Sequence, residues 1–522
     1  MRLILSTLAC VVTLLAAAEA PPDPNAVLTF RKCRHTNYVT EGNQIFAVDP
    51  ANPATKSKVV LKGVQWLGTE SSDAIPLGLW GKGSVQIDSG INGTSLADML
   101  KFLYTNEFNA VRIPLSADNV IQDITPKITN IHGENKEIAL YDKGFVPKMS
   151  DFIARFIGSF QKYRIGVVLD IHTLTVNFAQ DAYWYYPLPT TSVETTAAYQ
   201  AAVILATNYC KPEYWNVLGI DLKNAMTDAQ WASSSSTANS KVDWAAAADA
   251  IATKINQLCP QWLVFVTGAS KGSFTANNAS YPLWPGMNFA NATARPLRAK
   301  NIVYSPQAFT QAQQPLGYFF NPASNCSTAI LADRNTQCAV VVNDTLMANK
   351  YRSLACENSK FQCQSYKPLS TATLTATYQR LLDENVGGVV KAAAVPTVFG
   401  SFSGIYGKTV QPLQSAVLDL LIQYIATSTS GGFFASLNPD TEMWLESPPA
   451  GNTTVGKAHY GLMMSNSWQV PNADLLAALA GLKSSGDLPC YGDAAPGKLG
   501  APSGAGAVSL AATALAMALV LL

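Results

Sequence analysis

The sequence has little histidine, four residues in 522, and no paired C-x-x-C spacing. Both shortages argue against a structural zinc site, which takes Cys and His ligands at close spacings, and no metal or cofactor is expected. Charge is sparse and balanced, with 36 basic and 35 acidic residues for a net +1. That excludes the broad basic surface that nucleic acid demands. The apolar stretch that closes the chain, AVSLAATALAMALVLL, has 16 residues. It falls short of the about 20 that a membrane-spanning helix needs. No internal repeat is visible beyond an alternation of strand and helix.

Apolar and aromatic residues are abundant: 48% of the chain is hydrophobic, with 10 Trp and 20 Tyr. That suffices for one large α/β core or two smaller ones. The aromatic rings serve the core or offer flat faces on which sugar rings stack.

Both ends read as processing signals. Residues 1–20 combine Arg2, an apolar stretch and the small-x-small triplet Ala18-Glu19-Ala20. This is the pattern of a secretory signal peptide, with the mature chain expected from Pro21. Residues 491–522 pass from a small, polar linker into the closing apolar stretch. That layout matches a glycosylphosphatidylinositol attachment signal, its lipid site expected between Gly492 and Ser503. The chain is therefore expected outside the cell, a monomer held to the membrane through a lipid alone.

Cysteine usage agrees with export. Nine cysteines less Cys10, which leaves with the signal, make eight, an even number that reads as four disulfides. Short loops favour Cys326–Cys338 and Cys356–Cys363, and Cys33–Cys490 would tie together the ends of a domain spanning 21–490. Sequons at Asn92, Asn278, Asn291, Asn325, Asn343 and Asn452 fit glycosylated loops.

Between the ends, short apolar runs alternate with longer amphipathic stretches, the signature of βα repeats on a parallel sheet. The runs start at Gly63, Ala110, Gly166, Val217, Trp262, Asn301, Thr397 and Gly431. Eight such units predict an α/β fold of the (β/α)8 TIM-barrel kind. A cysteine-bearing segment at about 310–368 is expected to be a disulfide-rich insertion on the barrel rim.

In such barrels function sits at the carboxyl ends of the strands. Those ends carry Trp66 and Glu70, Arg112, Asp170 and His172, Asn224, Gln307, Ser401 and Asn438. Any one of them is a solvated strand cap by default. Arg112, His172 and Asn224, on consecutive strands, argue for a shared pocket.

These motifs, GVQWLGTES, VRIPLS, VVLDIH, VLGIDLKN, IVYSPQAF, TVFGSFSG and FFASLNPD, resemble those of glycoside hydrolase family 5, the cellulase-like enzymes, from Leu61 to Asn438. The resemblance implies a retaining glycosidase, with two carboxyl groups roughly 5 Å apart across the scissile bond. It places Arg112, His172 and Asn224 on family positions, with Asn224 facing a sugar hydroxyl. It also implies an acid/base glutamate directly after that asparagine, where this chain has Ala225. The nucleophile position holds Ser401. Gln307, Phe309 and Ala435 stand where the resemblance implies histidine, tyrosine and tryptophan.

A positioned general acid contributes about 10²–10⁴ in rate, and without a nucleophile the covalent route is lost. The leading expectation is therefore a non-catalytic relative that binds β-glucan or a related polysaccharide. Arg112, His172, Asn224, Gln307 and Trp66 would contact it. The loop DAYWYYPLP either supplies Trp184 and Tyr185 as a stacking platform or packs onto the barrel. A first alternative is a hydrolase or transglycosidase with relocated carboxylates, drawn from Glu70, Asp228, Glu442 and Glu446. A second is a surface interaction protein with a vestigial cleft.

Overall fold

Strands form where β-branched and aromatic residues are buried on both faces, and the barrel strands obey that rule. The computed structural model describes residues 33–492 without 82–91, 140–146, 177–181, 187–191, 235–240, 311–324, 327–362, 366–368, 405, 409–411, 440–441, 444–457, 460 and 465–466. Nine parallel strands form one sheet. They are β1 (Leu61–Gln65), β2 (Ala110–Ser116), β3 (Gly166–Thr173), β4 (Val217–Asp221), β5 (Leu263–Val266), β6 (Ile302–Tyr304), β7 (Gln307–Phe309), β8 (Phe399–Ser403) and β9 (Gly431–Ala435).

The sheet runs in the order β6-β5-β4-β3-β2-β1-β9-β8-β7. Its two edge strands are consecutive parts of a single run, split at Ser305-Pro306. Tyr304 pairs with β5 on one side and bridges to Thr397 on the other, and its N–H donates to Pro396 O at 2.9 Å. Gln307 pairs with Ser401. The run thus closes the sheet into the expected eight-staved barrel. Proline lacks the N–H that a continuous ladder would use, so the stave is interrupted there and continues as a second strand.

The amphipathic stretches between the runs form α1 (Leu96–Thr105), α3 (Met149–Phe160), α5 (Trp244–Leu258), α6 (Thr371–Leu382) and α7 (Pro412–Ser428), with the short α2 (Ala117–Gln122) after β2. In α1, Ser95 accepts from Asp98 N at 2.9 Å as N-cap, and Leu96, Met99, Leu100 and Leu103 bury one stripe. One barrel helix, α4 (Ala197–Tyr209), escapes the periodicity reading. AAYQAAVILATNY is apolar nearly all round, so its buried stripe does not stand out.

Between β5 and β6 an antiparallel hairpin, Ser273–Ala276 with Ala279–Pro282, takes the place of a helix. A three-stranded antiparallel sheet, Asn37–Glu41, Gln44–Asp49 and Asn52–Val59, precedes the barrel. Its Tyr38, Ile45 and Ala47 join Leu61, Val168, Leu218, Phe265, Val303 and Phe433 in one buried cluster. This closes the barrel at the end opposite the carboxyl ends of the strands.

Two disulfides are present among the described residues. Cys33–Cys490 joins the two ends of the domain, as expected, and Cys210–Cys259 links the carboxyl ends of α4 and α5. The side chains of Cys326, Cys338, Cys356 and Cys363 lie outside the described residues, as do the signal and anchor segments and most of the 310–368 insertion. Within that insertion two short strands set the backbone of Cys326 opposite Cys363.

Candidate functional site

The carboxyl ends of the strands converge on Arg112, which is fully buried. Its Nη2 lies 2.8 Å from Asp170 Oδ1, 2.9 Å from Asp221 Oδ2 and 3.1 Å from Asn224 Oδ1. Its Nη1 lies 3.4 Å from Gln65 Oε1. Side chains two apart on a strand share a face, so Asp170 and His172 of β3 both point inward. His172 Nδ1 is 2.6 Å from Asp170 Oδ2. His172 Nε2 is 3.4 Å from Asn224 Nδ2. Gln307 Nε2 donates to Asn224 Oδ1. Arg112, His172, Asn224 and Gln307 are therefore brought together.

Two buried carboxylates face one guanidinium. Burial pushes the Asp221 carboxyl up to about 6, against the pull of Arg112 and with the help of Asp170. Ser305 Oγ donates to Asp221 Oδ2 at 3.1 Å. Close approach is secured by Gly400, where a Cβ would lie 2.1 Å from Ser305 Oγ. A side chain at position 400 would push Ser305 off Asp221.

The two positions implied to carry the reacting carboxylates are occupied differently. Ala225 is half-buried, directly after Asn224, whose N–H donates to Ile171 O at 2.9 Å. Ser401 is buried on β8, and its Oγ donates to Gln65 Oε1 at 3.5 Å. Neither side chain can protonate a glycosidic oxygen or attack an anomeric carbon unaided.

Of the acidic residues that could replace them, Asp228 and Glu70 are described. Asp228 is an exposed partner of Lys271 at 4.0 Å. Glu70 is buried, its Oε2 accepting from Gly68 N at 2.7 Å. Burial raises its carboxyl above the usual range, and the nearby His172 opposes that rise. Glu446 and the side chain of Glu442 lie outside the described residues.

The aromatic expectations need correction. Trp66 is fully buried beyond β1, its Nε1 donating to Leu77 O at 2.9 Å and its ring edge-on to Phe156. It fills the layer between barrel and helices and has no face for a sugar. Trp184 is likewise buried, 5.6 Å from the ring of Trp244. The Tyr185 hydroxyl donates to Lys241 O at 2.5 Å, and its ring stacks on Tyr183. This loop packs onto the barrel; within it only Tyr186, at 47% exposure, is an exposed large ring.

Sequence reasoning missed Gln65, Asp221 and Ser305. The signal was available for Asp221: a carboxylate inside an apolar strand must find a cation, and Arg112 sits on a neighbouring stave. Gln65 and Ser305 carry no comparable mark, because an uncharged polar residue at a strand end is ordinary.

A family model described as Cellulase (glycosyl hydrolase family 5) matches residues 60–362. An endoglucanase of Paenibacillus polymyxa is 24% identical over 290 residues, 55% of this chain and 63% of that protein. A major extracellular endoglucanase of Xanthomonas campestris pv. campestris is 26% identical over 261 residues, 49% of this chain and 48% of that protein. The chain thus spans less than two thirds of the length of these curated relatives. Among solved structures, an endocellulase from Pyrococcus horikoshii in complex with cellotetraose superposes with a TM-score of 0.58 at 20% identity, covering 85% of this chain and 98% of that one. The catalytic domain of the Xanthomonas enzyme gives 0.56 at 19%, covering 85% and 99%.

Proposed function

This chain belongs to glycosyl hydrolase family 5, and from that premise we propose that it binds a β-glycan at the barrel mouth without hydrolysing it. The observation that carries the proposal is the pair Ala225 and Ser401 where the family resemblance implies glutamates, beside an Arg112–His172–Asn224 centre that keeps its polar contacts. A retaining mechanism needs both carboxyl groups. Binding needs only oriented hydrogen-bonding groups, and His172 and Asn224 are partly exposed. The Pyrococcus endocellulase offers a parallel, since two of its structures are glutamate-to-alanine variants in complex with cellotetraose. The signal-like start, the paired cysteines and the anchor-like end support a secreted protein tethered to the outer cell surface through a lipid.

The test is direct. The chain, expressed in a secreting eukaryotic host, is incubated with β-1,4-, β-1,3- and β-1,6-glucan and mannan oligosaccharides. Products are followed by mass spectrometry and binding by calorimetry. Heat of binding without cleavage or transfer is the expected result. Dose-dependent products that survive further purification would overturn it and point to relocated carboxylates, Glu70 first. Absence of both binding and turnover would favour an interaction protein with a vestigial cleft.

A further inference from the structure

Gln307, expected to contact a ligand, is 4% exposed and turns its amide onto Asn224. Its partner explains its presence. Arg112 has only donors, so the Asn224 atom 3.1 Å from Arg112 Nη2 must be the amide oxygen. Gln307 Nε2 donates to that same oxygen. Two donors now saturate the Asn224 carbonyl, and its NH2 is turned the other way. There it meets His172 Nε2 at 3.4 Å. An NH2 group can only donate, so Nε2 accepts. Nδ1 has two polar neighbours, Asp170 Oδ2 at 2.6 Å and the Gln65 amide nitrogen at 3.5 Å; the much shorter contact is to an acceptor, so the ring proton sits on Nδ1 and goes to Asp170. A guanidinium on β2 thus dictates, through one amide, the tautomer of a histidine on β3.

We infer that Gln307 is a positioning residue that acts through Asn224: with Arg112 it pins the amide oxygen inward and presents the second amide hydrogen to an acceptor oxygen of a bound glycan. The ligand in this statement rests on the β-glycan reading above, whereas the donor chain rests on geometry alone. The polarity has a consequence for selection. Asn224 offers a donor only, so a glycan presents an oxygen lone pair there. At position 307 one amide hydrogen is committed to Asn224.

The experiment uses the full secreted chain with cellotetraose as probe, and reads the ring ¹⁵N shifts of His172 by NMR at pH 7.5. The wild type is expected to show a protonated Nδ1 and an unprotonated Nε2. Q307M keeps length and volume but removes the donor. It should weaken cellotetraose binding about tenfold, the scale of one hydrogen bond, and move the Nε2 resonance as the amide loosens. Q307E is the second variant, should Q307M fold poorly. It sets a carboxyl oxygen against the Asn224 oxygen and should move both readouts further. A wild-type ring protonated on Nε2 alone overturns the inference. So does a Q307M chain with unchanged affinity and unchanged His172 shifts. Failure of the wild type to bind cellotetraose sinks the glycan reading, while the ring shifts still decide the donor chain.

Discussion

Arg112 and Asp170 form a wholly buried ion pair, 2.8 Å from Nη2 to Oδ1, with both side chains at most 1% exposed. The same nitrogen holds Asp221 at 2.9 Å. Breaking a buried pair by removing one partner leaves charge uncompensated in low dielectric. R112M should therefore cost about 3–5 kcal/mol in unfolding free energy, read by urea denaturation, and should abolish glycan binding. A loss below about 1 kcal/mol would mean that water reaches this centre.

Asp221 gives the fold a pH dependence with a defined sign. Its carboxyl is raised from 3.8 to about 6 by burial, so between those values the folded chain holds a proton that the unfolded chain has released. This contribution to stability is complete below 3.8 and is lost as pH rises through about 6. The urea midpoint should fall across that window. D221N cannot release the proton, so its profile should be flatter there. A wild-type midpoint that instead rises across the same window contradicts the assignment.

Trp66 and Trp184 should matter for stability and not for recognition. Each is buried among rings. W66A should cost about 3–5 kcal/mol through the cavity it leaves. Where the folded variant can be assayed, its affinity for cellotetraose should stay within about twofold of wild type, well under the tenfold of a lost hydrogen bond. A folded, stable W66A with tenfold weaker binding would return Trp66 to the site.

The two altered positions should respond unequally to added carboxylates. Ala225 is half-buried, so A225E can reach water and should be near neutral in stability. Ser401 is 5% exposed beneath Gln65, so S401E overfills its place and should cost about 1–3 kcal/mol. Thermal unfolding of the two single variants separates them. Equal effects would show that the barrel floor has room that its packing does not reveal.

The Cys33–Cys490 bridge closes a loop of 457 residues in sequence separation. Replacing both cysteines with serine should cost about 2–5 kcal/mol, chiefly by freeing the unfolded chain. An unchanged melting temperature would mean that the N-terminal sheet alone holds the ends.

Much of this protein is written in its sequence. Eight apolar runs at βα spacing dictate the barrel, because each strand buries both faces and must recur. Motifs at strand ends likewise place Arg112, His172 and Asn224 at the carboxyl mouth, and the residues at 225 and 401 are what they are in any fold. Helix α4 stayed hidden because an all-round apolar segment has no stripe to read.

What only the tertiary structure decided is which polar groups meet. Asp221, Ser305 and Gln65 join the centre because barrel closure brings residues from separate staves within hydrogen-bond distance. Trp66 leaves it because a ring at a strand end can turn outward into the helix layer as readily as toward solvent, and Trp184 because its loop sets the ring against Trp244 of α5. Sequence fixes the order and facing of side chains along one stave. Contact across staves depends on stagger and closure, which no single strand encodes.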